Sequence, residues 1–157
     1  MIQTMPGDIV VTTDRSRLDL EAIHAFLTGS YWARGIPRET VARALEHSLC
    51  FGALENDRQV GFARVISDRA TFAYICDVFV LESDRGRGVG KSLMAAIMSH
   101  PELQGLRRWT LFTRDAHGLY RQYGFGAARY PDRLMEVVAD DPYGLASGSG
   151  AGDADHA

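Results

Sequence analysis

Cysteine is nearly absent. Cys50 and Cys76 are the only two in 157 residues. Each sits in an apolar run, Ser-Leu-Cys-Phe and Tyr-Ile-Cys-Asp, without metal-type spacing. That argues against a disulfide framework and against a zinc or other metal site, and fits buried thiols in a reducing compartment. An excess of positive charge is also missing. The formal net charge is −3, whereas broad nucleic-acid or membrane-surface binding draws on Lys and Arg spread over a face, so neither partner is expected and any positive site must be local. No stretch approaches the roughly 20 apolar residues of a membrane span. The start, Met1-Ile-Gln-Thr-Met-Pro, has neither a basic n-region nor an apolar h-region, and the expected location is the cytoplasm. Internal repeats are lacking too.

What is present is a 46% hydrophobic chain of single-domain length, enough to bury a core. The reading is one domain over residues 1–140 and a flexible tail over 141–157. The tail contains Ser147-Gly-Ser-Gly-Ala-Gly-Asp and has too few apolar side chains to offset its ordering entropy. Within the domain, a short strand at Ile9 to Thr12 precedes a helix carrying Leu20, Ile23 and Leu27 at helical spacing and stopped by Gly29. Pro37 and Glu39 announce a second helix through Val41 and Leu45. Three strands follow, Leu49 to Leu54, Val60 to Ile66 and Thr71 to Leu81, separated by Asn56-Asp57 and Ser67-Asp68. From Gly88 the period changes: Val89, Leu93 and Ile97 recur every fourth residue until His100-Pro101. A strand from Trp109 to Phe112 then leads to a short helix, Asp115 to Tyr123, with Asp115 as N-cap and Gly124 after its end. Phe125 begins a return to the sheet, and Arg133 to Val138 reads as a last strand. The order predicts an α/β fold with a mixed sheet.

The most informative segment runs from Val80 to Met94. A strand ends in a glycine-rich turn, Arg85-Gly86-Arg87-Gly88-Val89-Gly90-Lys91, which opens an amphipathic helix. The first amides of a helix lack internal partners and lie at the positive end of its dipole, and glycines let a phosphate approach the backbone. Arg85, Arg87 and Lys91 supply counter-charge. A P-loop would need Gly where Arg85 stands, and the dinucleotide pattern a third Gly at Lys91 or Leu93, so neither motif fits. What remains is Arg-x-x-Gly-x-Gly directly after a strand, followed downstream by Thr113-x-x-Ala116-x-x-Leu119-Tyr120-x-x-x-Gly124-Phe125. The pair, in this order and context, resembles the two hallmarks of the GNAT superfamily of N-acetyltransferases, over roughly residues 8 to 138.

The resemblance implies a mostly antiparallel central sheet of about seven strands, splayed between its fourth and fifth, with helices on its faces. Acetyl-CoA would lie in that gap as the acetyl donor, with no metal. Phe79, Val80 and Leu81 would meet the pantetheine through the main chain, Arg85, Gly86, Arg87, Gly88, Val89, Gly90 and Lys91 would surround the pyrophosphate, and Thr113 stands where the family often has a pantetheine-contacting Asn. Tyr120 occupies the position of a general acid that protonates the leaving thiolate, while Tyr123 reads as a packing residue. Asp77, in Asp-x-Phe-Val, falls where some members carry an acid near the acceptor; it is a base, or a buried acid paired with a main-chain or Arg partner. The glutamate that polyamine acetyltransferases place just before that acid is replaced here by Cys76. His117, Tyr31 and Trp32 fall beside the acceptor side of the cleft. The implied activity is direct acetyl transfer to the primary amine of a small molecule in a ternary complex, the competing reading being a CoA-sensing module without catalysis. Members of the family often form homodimers.

Overall fold

In the computed structural model, residues 8–148 are described. The sheet grows from local turns. Strands β2 (Leu49–Glu55) and β3 (Arg58–Ser67) are joined by Asn56 and Asp57, with φ of 49° and 66°, the tight left-handed turn that these two residue types tolerate. The next turn is organised by Asp68, whose carboxylate accepts from the amides of Ala70, Thr71 and Phe72 and from the Thr71 hydroxyl. Those bonds hold the Asp68 carboxyl well below the usual range and deliver the chain into β4 (Phe72–Val80). Strand β1 (Val10–Thr12) pairs with β2, and β5 (Arg108–Leu111) with β4. The order is β1-β2-β3-β4-β5; the first three pairings are antiparallel and the last is parallel.

The parallel pairing requires a crossover, and α3 (Val89–Ser99) supplies it. Its Val89, Leu93, Met94 and Ile97 pack against Val60, Val65, Ala73 and Ile75 on one face of the sheet. Helix α4 (His117–Arg121) joins this layer. Helices α1 (Leu20–Thr28) and α2 (Arg38–Glu46) cover the opposite face with Ile23, Leu27, Val41 and Leu45, which meet Cys50, Phe62 and Phe79. Asp19 caps α1 by accepting the Ala22 amide at 3.0 Å. Close approach explains Gly61: a Cβ there would lie 2.8 Å from Val89 and 3.1 Å from the Phe79 carbonyl oxygen, so β3 and the start of α3 could not meet as they do.

The α/β class holds, but among the described residues the sheet has five strands, not seven. Phe125 packs its ring against Trp109 and Tyr120 without starting a strand. Residues 133–138, expected as the last strand, begin with a short turn at Pro131–Arg133 and then run unpaired; strand composition alone does not bring a segment beside a sheet edge. Helix α4 is also shorter than expected, and Asp115 does not cap it. The Thr113 hydroxyl accepts the Ala116 amide at 3.0 Å, closing the preceding turn, and Ala116 takes the N-cap position. Of the expected tail, Asp141 accepts from the amides of Leu145 and Ala146 at 2.8 and 3.1 Å, and Tyr143 packs against the α1/α2 cluster. Residues 149–157 lie outside the described part. Among the described residues no helix is long and apolar enough to cross a membrane.

Leu93 is fully buried between α3 and the sheet, so Leu93→Ala is expected to lower stability by about 2–5 kcal/mol. Urea unfolding checks this as a lower midpoint with an unchanged slope.

Candidate active site

The site begins where two strands part. β5 follows β4 only from Phe72↔Arg108 to Ile75↔Leu111. The next residues of β4 form a bulge, because Arg64 faces Cys76 while Phe62 faces Phe79, so one extra residue is inserted at Asp77. Asp77 takes a left-handed conformation, φ 52°, and a bulge of this kind bends its strand and increases its twist. Beyond it, Cys76 to Val80 have no strand on the β5 side among the described residues. The Leu81 amide donates to Val60 O at 2.9 Å, toward β3. The Val80 carbonyl accepts from Arg85 Nε at 3.3 Å and so faces the other way, into the gap.

After β4 the chain makes the turn that the sequence singled out. Asp84 anchors it from below. Its side chain is 3% exposed and accepts from Arg58 Nη2 at 2.9 Å, from Arg87 Nη1 at 2.9 Å and from Ser83 Oγ at 3.1 Å. The hydrogen bonds from Arg58 do most to hold its carboxyl below the ordinary range, against its burial. Arg87 also bonds to Glu55, so its guanidinium braces the turn against the β2 end. Above this anchor, Gly86 and Gly88 have φ of 79° and 77°, and a Cβ on either would meet nothing within 4 Å; the backbone there is left-handed and open. Gly88 is the N-cap of α3, makes no side-chain cap bond, and is followed by a first turn without an acidic residue. The first intrahelical bond to Gly88 O comes from Ser92. The amides of Val89, Gly90 and Lys91 are therefore left for an anion, with the helix dipole behind them.

Tyr120, on α4 beyond β5, is 8% exposed and set edge-on to Phe125. Burial pushes its phenol up to about 12, with smaller contributions from nearby Tyr31 and Asp115, so the hydroxyl keeps its proton at neutral pH. Among the described residues no group hydrogen-bonds that hydroxyl, and it is not among the sealed, unpartnered polar atoms. Its oxygen therefore reaches open space. Tyr123 instead donates to Lys91 O at 3.0 Å, tying α4 to α3. Thr113 Oγ1 is occupied as an acceptor by the Ala116 amide and retains its own proton to donate. His117 is exposed at the first position of α4.

The other side of the gap is built on Asp77. Arg64 Nε donates to its Oδ2 at 2.8 Å and Trp32 Nε1 to its Oδ1 at 2.8 Å; Asp77 and Arg64 side chains are only 10% and 16% exposed. From Trp32 a run of rings lines the α1/α2 side. Tyr31 meets Trp32 edge-on at 5.1 Å, and Trp32 lies 6.3 Å from Phe26, which stacks on Phe79 at 4.0 Å. The Arg114 guanidinium, from the β5–α4 connection, sits 3.7 Å over the Tyr31 ring. Tyr143 arrives from the far C-terminal segment; burial and then the Asp77 charge raise its phenol pKa. Burial pushes the Cys76 thiol up to about 12 and Cys50 up to about 11, which leaves both as protonated, poor nucleophiles.

The profile of the acetyltransferase (GNAT) domain matches residues 46–126, the stretch from the end of α2 through both walls of the gap. The chain belongs to the GNAT family of acetyltransferases. A crystal structure of a GNAT-family protein from Xanthomonas campestris pv. campestris is 54% identical, covers 87% of this chain and 97% of its own, and superposes with a TM-score of 0.85. A protein of Gibberella zeae named for acetyltransferase activity is 33% identical over 73% of this chain and 76% of its own length. An N-acetyltransferase of Prochlorococcus marinus is 34% identical over 60% of this chain, and the match spans only 55% of that relative.

GNAT enzymes take acetyl-CoA as donor, and the turn after β4 has the features that its diphosphate would need: open left-handed glycines, amides of α3 without a helix partner, and the cations Arg85 and Lys91 within the same turn. Among the described residues no group of three or more His, Cys, Asp or Glu side chains is arranged for a metal ion. Three neighbours of the gap escaped sequence reasoning. Arg64, Arg114 and Tyr143 carry no local motif, and each comes to the gap from a different part of the chain. Only the alternation on β3, with Arg64 inside an otherwise apolar strand, signalled one of them.

The Asp84 anchor sets a pH dependence. Its folded pKa lies below its unfolded one, so its stabilisation is complete above the ordinary carboxylate range and is lost as pH falls through the lowered value. Asp84→Asn should therefore be less stable than the parent at neutral pH, and the difference should shrink in acid. Urea midpoints across a pH series read this out.

Proposed function

We propose that the chain is a single acetyl-transferring unit that passes the acetyl group of acetyl-CoA to the primary amine of a small molecule, by direct attack in a ternary complex. What supports the reading is the length of β4 beyond Ile75 that has no strand on the β5 side, together with Tyr120, whose phenol keeps its proton and has no hydrogen-bond partner among the described residues. Bound there, the donor supplies an activated thioester. The main chain of Phe79, Val80 and Leu81 aligns it as an added strand would, and residues 85–91 hold its diphosphate, chiefly by the amides after Gly88. Tyr120 gives its proton to the departing sulfur. Thr113 donates its remaining proton along the donor arm. Neither cysteine takes part, since a buried thiol with a raised pKa is not a nucleophile at neutral pH.

On the acceptor side, an alkylamine with a pKa of about 10 needs about 4 kcal/mol to lose its proton at pH 7. Asp77 has one lone pair on each oxygen already engaged, by Arg64 and Trp32. It serves best as a fixed anion that draws the ammonium in, the proton then leaving through water or His117. Tyr31 and Trp32 present ring faces suited to the same cation, and the face of Tyr31 already carries Arg114.

The test is thiol release from acetyl-CoA over a panel of small amines. An accelerated member identifies the acceptor class, whereas tight CoA binding with no accelerated amine would favour the sensing module. With an active amine, Tyr120→Phe should lower kcat by about 10²- to 10⁴-fold and leave acetyl-CoA binding unchanged in calorimetry; equal turnover would remove Tyr120 as the acid. Asp77→Asn should raise KM for the amine more than it lowers kcat. In the parent, the high phenol pKa predicts that kcat holds through about pH 10, with no alkaline loss from Tyr120.

A further inference from the structure

Among the described residues no backbone hydrogen bond ties 135–140 to the rest of the chain, so the turn that follows is placed by its own contacts. Three of them place it. Asp141 closes the turn by accepting from the amides of Leu145 and Ala146 at 2.8 and 3.1 Å. Leu145 then seats on Gly35 in the α1–α2 connection, where a Cβ would lie 2.5 Å from Leu145 Cδ2 and 2.9 Å from Cδ1. Gly35 has φ of 76°, so glycine is required there by the backbone as well as by the side chain above it. Its amide donates to Thr28 O at 2.9 Å, which closes the loop that carries Tyr31 and Trp32. Between these two fixings, the ring of Tyr143 packs against the α1/α2 cluster, on which Trp32 and Phe26 also lie.

The polar end of that ring is left near Asp77. Burial first and then the Asp77 charge raise the Tyr143 phenol pKa, with Arg64 opposing, so the hydroxyl lies within the field of the Arg64–Asp77–Trp32 group and keeps its proton at neutral pH. Among the described residues no group hydrogen-bonds it, and it is not among the sealed, unpartnered polar atoms. A primary ammonium brings three N–H donors, and Asp77 already accepts from Arg64 on one oxygen and from Trp32 on the other. Those two partners are donors only and cannot receive a further N–H. The phenol oxygen of Tyr143 can. We propose that Tyr143 binds the acceptor, its oxygen accepting one N–H of the ammonium that Asp77 draws in, and that the seat of Leu145 on Gly35 holds it in place. This rests on the reading of Asp77 as a fixed anion for a primary amine. It also makes the site count N–H groups: a primary ammonium serves Asp77 and Tyr143 together, whereas a quaternary one serves neither by hydrogen bonding.

Calorimetry on the full chain saturated with CoA, the thiol that has no acetyl group to give, separates amine binding from turnover. The probes are n-butylamine and phenethylamine, which carry a primary ammonium on an aliphatic and on an aromatic body. At least one should bind the parent, and Tyr143→Phe should weaken it about tenfold, as expected for a hydrogen bond to a charged group. Leu145→Ala, which removes the seat and leaves the phenol intact, should weaken the same amine. Both variants should bind CoA as the parent does. In turnover with an accelerated amine, Tyr143→Phe should raise KM for the amine by a similar factor with little change in kcat. Binding of neither amine by the parent, an unchanged amine affinity in either variant, or an equal loss of CoA affinity would overturn the proposal. Absence of turnover in a parent that binds these amines through Tyr143 would instead remove the acetyl-transfer reading and leave this role standing.

Discussion

The site depends on one extra residue in one strand. Insertion of Asp77 into β4 ends its ladder with β5 at Ile75 and bends the strand away. A bulge with a left-handed aspartate costs conformational energy, of order 1–3 kcal/mol, and survives only where its surroundings over-determine it. Here Arg64 from β3 and Trp32 from the α1–α2 connection grip both carboxylate oxygens. The same aspartate therefore opens the sheet and faces the space that it opens, which is why a substitution there would disturb geometry as well as charge.

The two sides of the gap are built from different materials. In the turn after β4 the open groups are main-chain amides, set by left-handed glycines and by the Asp84 anchor under the turn. Arg87, which a reading of the turn alone assigns to the diphosphate, spends its charge on Asp84 and Glu55. Around Asp77 in β4 the groups are side chains drawn from distant segments: Tyr31 and Trp32 before α2, Arg114 before α4 and Tyr143 near the C-terminal end. A backbone site tolerates change in most side chains around it, whereas a side-chain site changes with each of them. That division suits an enzyme family that keeps its donor and varies its acceptor.

Much of this was legible beforehand. The hairpin at Asn56-Asp57, the apolar period of α3 and the turn from Arg85 to Lys91 are local patterns, and local patterns survive into the structure because their physics acts within a few residues. Errors fell where a pattern needed a distant partner. Residues 133–138 have strand composition but pair with no strand among the described residues. Asp115 had the chemistry of a cap, yet Ala116 stands at the N-cap of α4 without a side-chain cap bond, and the Thr113 hydroxyl closes only the turn before it.

The sequence by itself determined the order of strands and helices, the phosphate-type turn with its left-handed glycines and the presence of a tyrosine at the head of Gly-Phe, since each follows from short-range sterics and hydrogen bonding. Only the tertiary structure decided that Asp77 is gripped by Arg64 and Trp32, that Tyr120 is buried with its phenol pKa raised, and that Arg87 braces the turn against Asp84 and Glu55. Those outcomes depend on desolvation and on contacts between segments tens of residues apart, and neither is encoded in any one stretch of chain.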